Sequence, residues 1–134
     1  MAEAGLDGFR QEVSIDGRHQ LVADDRRRWA GPASGRAPIN YLSAALGACT
    51  TMTVRLYARR HEIPLAHVAV DVAHDKSHAK DCADCDKSVP KVDVFRREIR
   101  LEGSLTTEHR ALLLEIAGRC PVHRTLATIE TQLA

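Results

Sequence analysis

Aromatic residues are scarce in this chain: two Phe, two Tyr and one Trp make up 4% of its 134 residues. A hydrophobic core must therefore be built mainly from aliphatic side chains. With hydrophobic residues at 44% of the composition, there are enough of them for an ordinary globular domain. The length is close to the commonest domain size, so we expect a single domain over residues 1–134.

A strong net charge and a long apolar run are also missing. The formal net charge of +1 gives no general attraction to nucleic acids or anionic membranes. The uncharged residues 39–54 are too few and too polar to span a membrane. No secretory signal is recognisable at the start, so we expect a cytoplasmic protein. In a reducing compartment, catalytic, redox or metal roles are expected of the four cysteines before structural disulfides.

The first half of the chain predicts a hairpin followed by a long helix. Asp16-Gly17 favours a tight turn between strand-like residues 8–15 and 18–24. Residues 39–61 carry apolar side chains at helical spacing, and the first four turns are apolar nearly all round. Such a helix is expected to be buried on every side.

The second half predicts alternating strands and one further helix. Residues 68–72, 95–101 and 127–133 alternate between apolar and polar side chains, as half-exposed strands do. Thr106 or Thr107 is a suitable N-cap for a helix between the last two strands. Strands, long helix, strands, helix and strand in this order predict an α+β fold.

Two cysteines far apart in the sequence are candidates for chemistry. Cys49 lies in the middle of the long helix, where a lone cysteine is most often inert packing. Cys120 precedes Pro121, and proline favours the first position of a helix, so Cys120 is a predicted N-cap. The free N–H groups there favour a reactive thiolate. The alternative is a cysteine that caps a turn without a redox role.

A third cluster has the spacing of a zinc site. His74 and His78 are followed by Cys82 and Cys85, a His pair at i and i+4 before a C-x2-C motif. One short polar segment would have to supply all four ligands. We therefore favour a charged loop with two exposed thiols, and keep structural zinc or a second redox pair as alternatives.

Two longer stretches resemble a known family. PINYLSAALGACTTMTVRLYA, beginning at Pro38, and the later LLLEIAGRCPVHRTL are similar to the two cysteine signatures of the OsmC/Ohr family. These are the osmotically inducible protein C and organic hydroperoxide resistance proteins. The resemblance covers essentially the whole chain, and the GACT and CPVHRTL variants are most similar to an OsmC-like branch.

The resemblance implies a fold, a partner and an activity. The fold is α+β, with antiparallel sheets wrapped around a long buried central helix in an intertwined homodimer. The activity is thiol-dependent reduction of organic hydroperoxides, and less well of hydrogen peroxide, without metal or flavin. Cys49 matches the peroxidatic cysteine, which becomes a sulfenic acid, and Cys120 the resolving cysteine, which forms a disulfide with it. A dithiol or lipoyl-type reductant then restores both thiols.

An arginine activates the thiolate in this family, and Arg28 is the candidate. The segment Arg28-Trp29-Ala30-Gly31 resembles the Arg-Phe-Glu-Gly loop of OsmC proteins. Its charge would stabilise the thiolate and the leaving alkoxide. Arg18 and Arg36 are weaker candidates, and a solvated charge run is the alternative interpretation of this loop.

One position departs from the family pattern. A Glu commonly follows the proline that matches Pro38, whereas Ile39 and Asn40 stand here. Asp24 or Asp25 could hold the arginine instead. The missing carboxylate favours a rival function, a non-catalytic protein that binds a small apolar ligand in the dimer-interface pocket. Retention of both cysteines favours the enzyme.

Overall fold

The computed structural model of this chain describes five stretches, residues 1–3, 10–24, 35–77, 92–126 and 129–134. The chain divides into two compact units, Met1–Leu42 and Ser43–Ala134. Each is described by itself.

The first unit contains the predicted hairpin. Strands β1 (Ala2–Glu3), β2 (Gln11–Ile15) and β3 (His19–Ala23) form an antiparallel sheet in that order. Asp16 and Gly17 have φ values of 52° and 66°. Tight hairpin turns need this pair of positive values, and Asp and Gly adopt them readily. The prediction of a hairpin at Asp16-Gly17 is therefore confirmed.

The long helix, α1, spans Pro38–Arg60, and its buried residues lie on one face. Its buried residues recur every four positions: Leu46, Thr50, Val54 and Ala58. Met52 and Leu56, on other faces, are 70% and 50% exposed. The prediction of burial on every side is wrong for the single chain, because one three-stranded sheet can cover only one side of a helix.

The sheet of the second unit is mixed. Strands β4 (Leu65–Ser77) and β5 (Val92–Gly103) are antiparallel, whereas β6 (Ile129–Leu133) runs parallel to β5. The expectation of purely antiparallel sheets is therefore wrong for β6. The helices between β5 and β6 provide the crossover connection that parallel pairing requires.

Two helices make up that crossover. Helix α2 (Thr107–Ala117) begins at the predicted cap: the Thr106 hydroxyl accepts the His109 N–H at 3.1 Å. Helix α3 (Pro121–Thr125) is a short turn with Cys120 at its N-cap, also as predicted.

The core of the second unit packs α1 and α2 against the inner face of the sheet. Burying these aliphatic side chains stabilises the fold by about 25 cal/mol per Å² of apolar surface. The central buried residues are Val54, Ala58, Ile63, Leu65, Val68, Ile99, Leu101, Leu113 and Ala117. Within the described stretches, no helix is both long and apolar enough to cross a membrane.

Candidate functional site

The two candidate cysteines meet inside the second unit. Cys49 is half-buried on α1, and Cys120 is fully buried at the N-cap of α3. Both are free thiols, and they are close enough for each to shift the pKa of the other. The tertiary structure therefore places them within reach of a direct reaction with each other.

An arginine that the sequence analysis passed over lies beside them. Arg97 on β5 is only 1% exposed. It follows the inward alternation of Phe95 and Ile99, whereas its neighbours Arg96 and Glu98 are exposed. A charged residue in the apolar phase of a strand was a detectable signal, because successive side chains point to opposite faces. The predicted alternation of apolar residues with exposed charges over residues 95–101 therefore has one exception, the inward-facing Arg97.

Every N–H group of the Arg97 guanidinium is donated to an acceptor. Nε and Nη2 both donate to Thr131 Oγ1, at 3.1 and 2.6 Å. Nη1 donates to Thr50 Oγ1 at 2.8 Å and to Ala117 O at 3.1 Å, and Nη2 also donates to His123 Nδ1 at 3.0 Å. A guanidinium has five N–H groups, so none remains.

All of these acceptors are uncharged. Among the described side chains, no Asp or Glu forms an ion pair with Arg97. A buried charge is costly unless an opposite charge compensates it. The thiolate form of a neighbouring cysteine supplies that charge, and the two sulfurs in turn oppose the lowering of the Arg97 pKa by burial.

Of the two cysteines, Cys49 is the one whose thiolate form is stabilised. Burial by itself raises its pKa, but four interactions together outweigh burial. They are, in decreasing order, the hydrogen bond from the Cys120 thiol, the Val122 N–H, the Thr53 hydroxyl and the charge of Arg97. The pKa of Cys49 is therefore below the 9.0 of an ordinary cysteine. A larger thiolate fraction near neutral pH makes it the more reactive thiol.

Cys120 keeps its proton. Burial and the hydrogen bond to Cys49 raise its pKa, and they outweigh the His123 N–H and the Thr50 hydroxyl. The N–H at the N-cap does favour the Cys120 thiolate, as expected, but burial and Cys49 outweigh it. Two neighbouring sulfurs cannot both be anions at low cost, and the fully buried one is the less solvated.

His123 is neutral and has a defined tautomer. Burial and the nearby Arg97 charge lower its pKa below the 6.5 of an ordinary histidine. Since Nη2 of Arg97 is always a donor, Nδ1 of His123 must accept. The ring hydrogen therefore lies on Nε2. In this state His123 adds no positive charge beside the two sulfurs.

The remaining predicted site residues are separate from this pair or outside the described stretches. Arg28, and His78, Cys82 and Cys85 of the zinc-like segment, lie outside the described residues. His74 on β4 donates to Asp93 Oδ1 at 2.8 Å and packs against Phe95. Among residues the structure describes, no group of three or more His, Cys, Asp or Glu side chains could hold a metal ion.

A cavity of about 660 Å³ lies against the sheet beside Arg97. Its lining combines polar residues, among them Thr131, Asp71 and Glu98, with the aliphatic Val72 and Ala73.

Comparison with known families identifies a match over most of the chain. The family model described as OsmC-like protein matches residues 31–134. No curated protein sequence matches the chain significantly.

Solved structures with the same fold have low sequence identity. An OsmC-like protein from Mycoplasma pneumoniae is 19% identical, with a TM-score of 0.69 over 93% of this chain and 87% of that one. An organic hydroperoxide resistance protein OsmC from Legionella pneumophila is 16% identical, with a TM-score of 0.66 over 98% and 97%. An organic hydroperoxide resistance protein from Elizabethkingia anophelis is 15% identical, with a TM-score of 0.65 over 97% and 95%. These similarities show the fold.

Proposed function

This chain belongs to the OsmC-like protein family, and on that premise we propose that it is a thiol peroxidase that reduces organic hydroperoxides through Cys49 and Cys120. The observation that carries the proposal is the pairing of the two thiols. The Cys120 thiol neighbours Cys49 and lowers its pKa, while the pKa of Cys120 itself is raised. A reactive thiolate next to a protonated thiol is the arrangement that a two-cysteine peroxide reductase needs.

The reaction begins with Cys49. Its thiolate attacks the terminal oxygen of the hydroperoxide, the O–O bond breaks, and the products are a Cys49 sulfenic acid and an alkoxide. The sulfur of Cys120 then attacks the sulfenic acid, forming a Cys49–Cys120 disulfide and releasing water. A dithiol or lipoyl-type reductant converts the disulfide back to two thiols by exchange. This sequence needs no metal or flavin.

Arg97 is the cation that we assign to this site. Its charge acts on both sulfurs, so it stabilises a thiolate on either one. Arg28 remains a second candidate, for direct contact with the peroxide, because every N–H of Arg97 is already donated. Asp24 or Asp25 would hold Arg28 in place of the family glutamate.

The substrate class rests on the relatives and on the expected assembly. The Legionella pneumophila and Elizabethkingia anophelis proteins are both named for organic hydroperoxide resistance. We propose a homodimer in the cytoplasm, with an apolar pocket at its interface that would favour alkyl hydroperoxides over hydrogen peroxide, because an alkyl tail gains about 25 cal/mol per Å² on burial.

The two cysteine variants test the function. Wild type should consume tert-butyl hydroperoxide with dithiothreitol and accumulate an intramolecular disulfide when reductant is withheld. Cys49→Ser should abolish both, whereas Cys120→Ser should leave a sulfenic acid on Cys49 that dimedone traps. If Cys49→Ser reduces the peroxide as well as wild type, or peptide mapping locates the disulfide elsewhere, the peroxidase proposal fails. The rival, a non-catalytic protein that binds a small apolar ligand, would then be favoured.

A further inference from the structure

The reaction proposed above leaves an alkoxide that needs a proton. We propose that the Cys120 thiol is the general acid of the first step, giving its proton to the departing alkoxide before it acts as the resolving nucleophile. This inference rests on the proposed peroxidase function and assigns Cys120 a second, earlier role. Among the described residues near Cys49, the possible proton donors are Arg97, His123, two threonine hydroxyls, the Val122 N–H and the Cys120 thiol.

Arg97 cannot supply this proton. Its five N–H groups are donated to Thr131, Thr50, Ala117 and His123. A guanidinium also does not lose a proton in a protein. Arg97 therefore acts on the sulfurs through its charge.

His123 cannot supply it either. Nδ1 accepts a hydrogen bond from Arg97 at 3.0 Å, so the ring is neutral with its one hydrogen on Nε2. Loss of that hydrogen would leave an imidazolate anion, which is a far stronger base than a thiolate. A doubly protonated ring, which could act as an acid, is also disfavoured. Its Nδ1–H would face the N–H of Arg97 Nη2, and a second cation would lie beside Arg97.

The hydroxyl and amide groups nearby are hydrogen-bond donors and not acids. Thr50 Oγ1 donates to Leu46 O at 2.7 Å, and Thr53 Oγ1 donates to Cys49 O at 2.8 Å. An alcohol is about as weak an acid as the alcohol product, so transfer from either threonine would gain nothing. The Val122 N–H, which is directed at Cys49, is a backbone amide and keeps its proton.

The Cys120 thiol meets all three requirements of the acid. It is fully buried, it neighbours the sulfur that reacts, and burial together with Cys49 raises its pKa, so it stays protonated while Cys49 is a thiolate. A thiol is also a much stronger acid than an alcohol, so transfer to an alkoxide is downhill. The group that donates its proton is then in the form needed for the next step.

The atoms and charges balance through the cycle. The Cys49 thiolate and ROOH give Cys49–S–OH and RO⁻, and the sulfur electron pair forms the S–O bond while the O–O pair leaves with RO⁻. Cys120–SH and RO⁻ give ROH and a Cys120 thiolate. That thiolate attacks Cys49–S–OH, the S–S bond forms, and hydroxide leaves and is protonated by solvent. One negative charge moves from Cys49 to Cys120, and Arg97 acts on both positions.

Two oxidants that differ in their leaving groups test the proposal. Tert-butyl hydroperoxide releases an alkoxide, which needs a proton, whereas peracetic acid releases acetate, which is stable as an anion at neutral pH. The rate of Cys49 oxidation is measured by single-turnover kinetics in wild type, Cys120→Ala and Cys120→Ser. Alkylation by iodoacetamide, which releases iodide, reports how far each substitution lowers the thiolate reactivity of Cys49 itself.

We expect the rate with tert-butyl hydroperoxide to fall about 10²-fold or more beyond the fall in alkylation, as loss of a general acid does. The rate with peracetic acid should fall only as much as alkylation. Wild type should also show a solvent deuterium isotope effect with the hydroperoxide and none with the peracid, a measurement that needs no variant. Equal losses with both oxidants, or equal isotope effects, would overturn the role of Cys120 as the acid. Failure of the peroxidase function is distinguishable, because wild-type Cys49 would then react with neither oxidant faster than a free thiol.

Discussion

Arg97 and Thr131 lie directly opposite each other on the parallel strands β5 and β6, and the Thr131 hydroxyl accepts two N–H groups of the guanidinium, at 3.1 and 2.6 Å. The C-terminal strand therefore holds the cation that acts on the two sulfurs. A shift in register by one residue would turn Thr131 to the opposite face of the sheet and remove both bonds.

Removal of the Thr131 hydroxyl should weaken the site without removing any charged group. In Thr131→Val, two N–H groups of a buried guanidinium lose their acceptor, which costs about 1–3 kcal/mol of folding free energy. We expect slower alkylation of Cys49 by iodoacetamide and a lower midpoint of urea unfolding. Thr131→Ser keeps the hydroxyl and is the matched control. Equal behaviour of the Val and Ser variants would contradict the positioning role.

The pH dependence of Cys49 alkylation should show which neighbouring groups lower the Cys49 pKa most. In wild type the rate should rise with pH through an apparent pKa below 9.0, because the folded state favours the thiolate. Cys120→Ala should move that pKa upward by more than Arg97→Met does, since the hydrogen bond from Cys120 is the larger contribution.

At neutral pH, alkylation should fall about tenfold for each unit by which that pKa rises. Arg97→Lys, which retains a charge, is the control for Arg97→Met. A profile with an unchanged pKa in both Cys120→Ala and Arg97→Met would be inconsistent with the site described above.

His123 should make the fold sensitive to mild acid. Its pKa is lowered in the folded state, so below pH 6.5 the unfolded chain binds more protons and folding stability falls as the pH falls toward the folded value. Each unit of difference between the two pKa values corresponds to about 1.4 kcal/mol.

Urea unfolding between pH 4.5 and 6.5 measures this effect. The carboxylates with lowered pKa values, Asp75 and Glu108, lose their stabilising contribution at lower pH, below their ordinary values of 3.8 and 4.5. His123→Gln can still accept from Arg97 but does not titrate, so its stability should decline less over this range. A slope identical to that of wild type would mean that His123 is not the group responsible.

The exposed face of α1 should be an interface in a homodimer. Met52 is 70% exposed in the single chain, and its burial against a partner would contribute about 1.5–3 kcal/mol. We expect light scattering over a dilution series to report a dimer, and Met52→Lys to dissociate at a higher concentration than Met52→Leu. A folded wild-type monomer of 14.8 kDa at all concentrations would rule out the proposed dimer.

Several elements were predictable because their signals are local. The Asp16-Gly17 turn depends on two residues that tolerate positive φ, and the start of α3 depends on Pro121 following Cys120. The bounds of α1 follow from a periodic apolar pattern that ends at Arg59 and Arg60. The pairing of Cys49 with Cys120 came from the family resemblance, since no local pattern links positions so far apart.

What the sequence determined by itself was therefore the elements and their caps, because turn, cap and periodicity preferences act over a few residues. Only the tertiary structure decided which sulfur carries the charge. The N-cap position of Cys120 predicted a thiolate there, but burial and the neighbouring Cys49 reverse that preference. The sequence alternation already places Arg97 at an inward-facing position of β5. Its effect on the sulfurs, however, depends on distances between β5, α1 and α3. Solvation and Coulomb energies are set by such distances and by burial, which come into being only when the chain is packed.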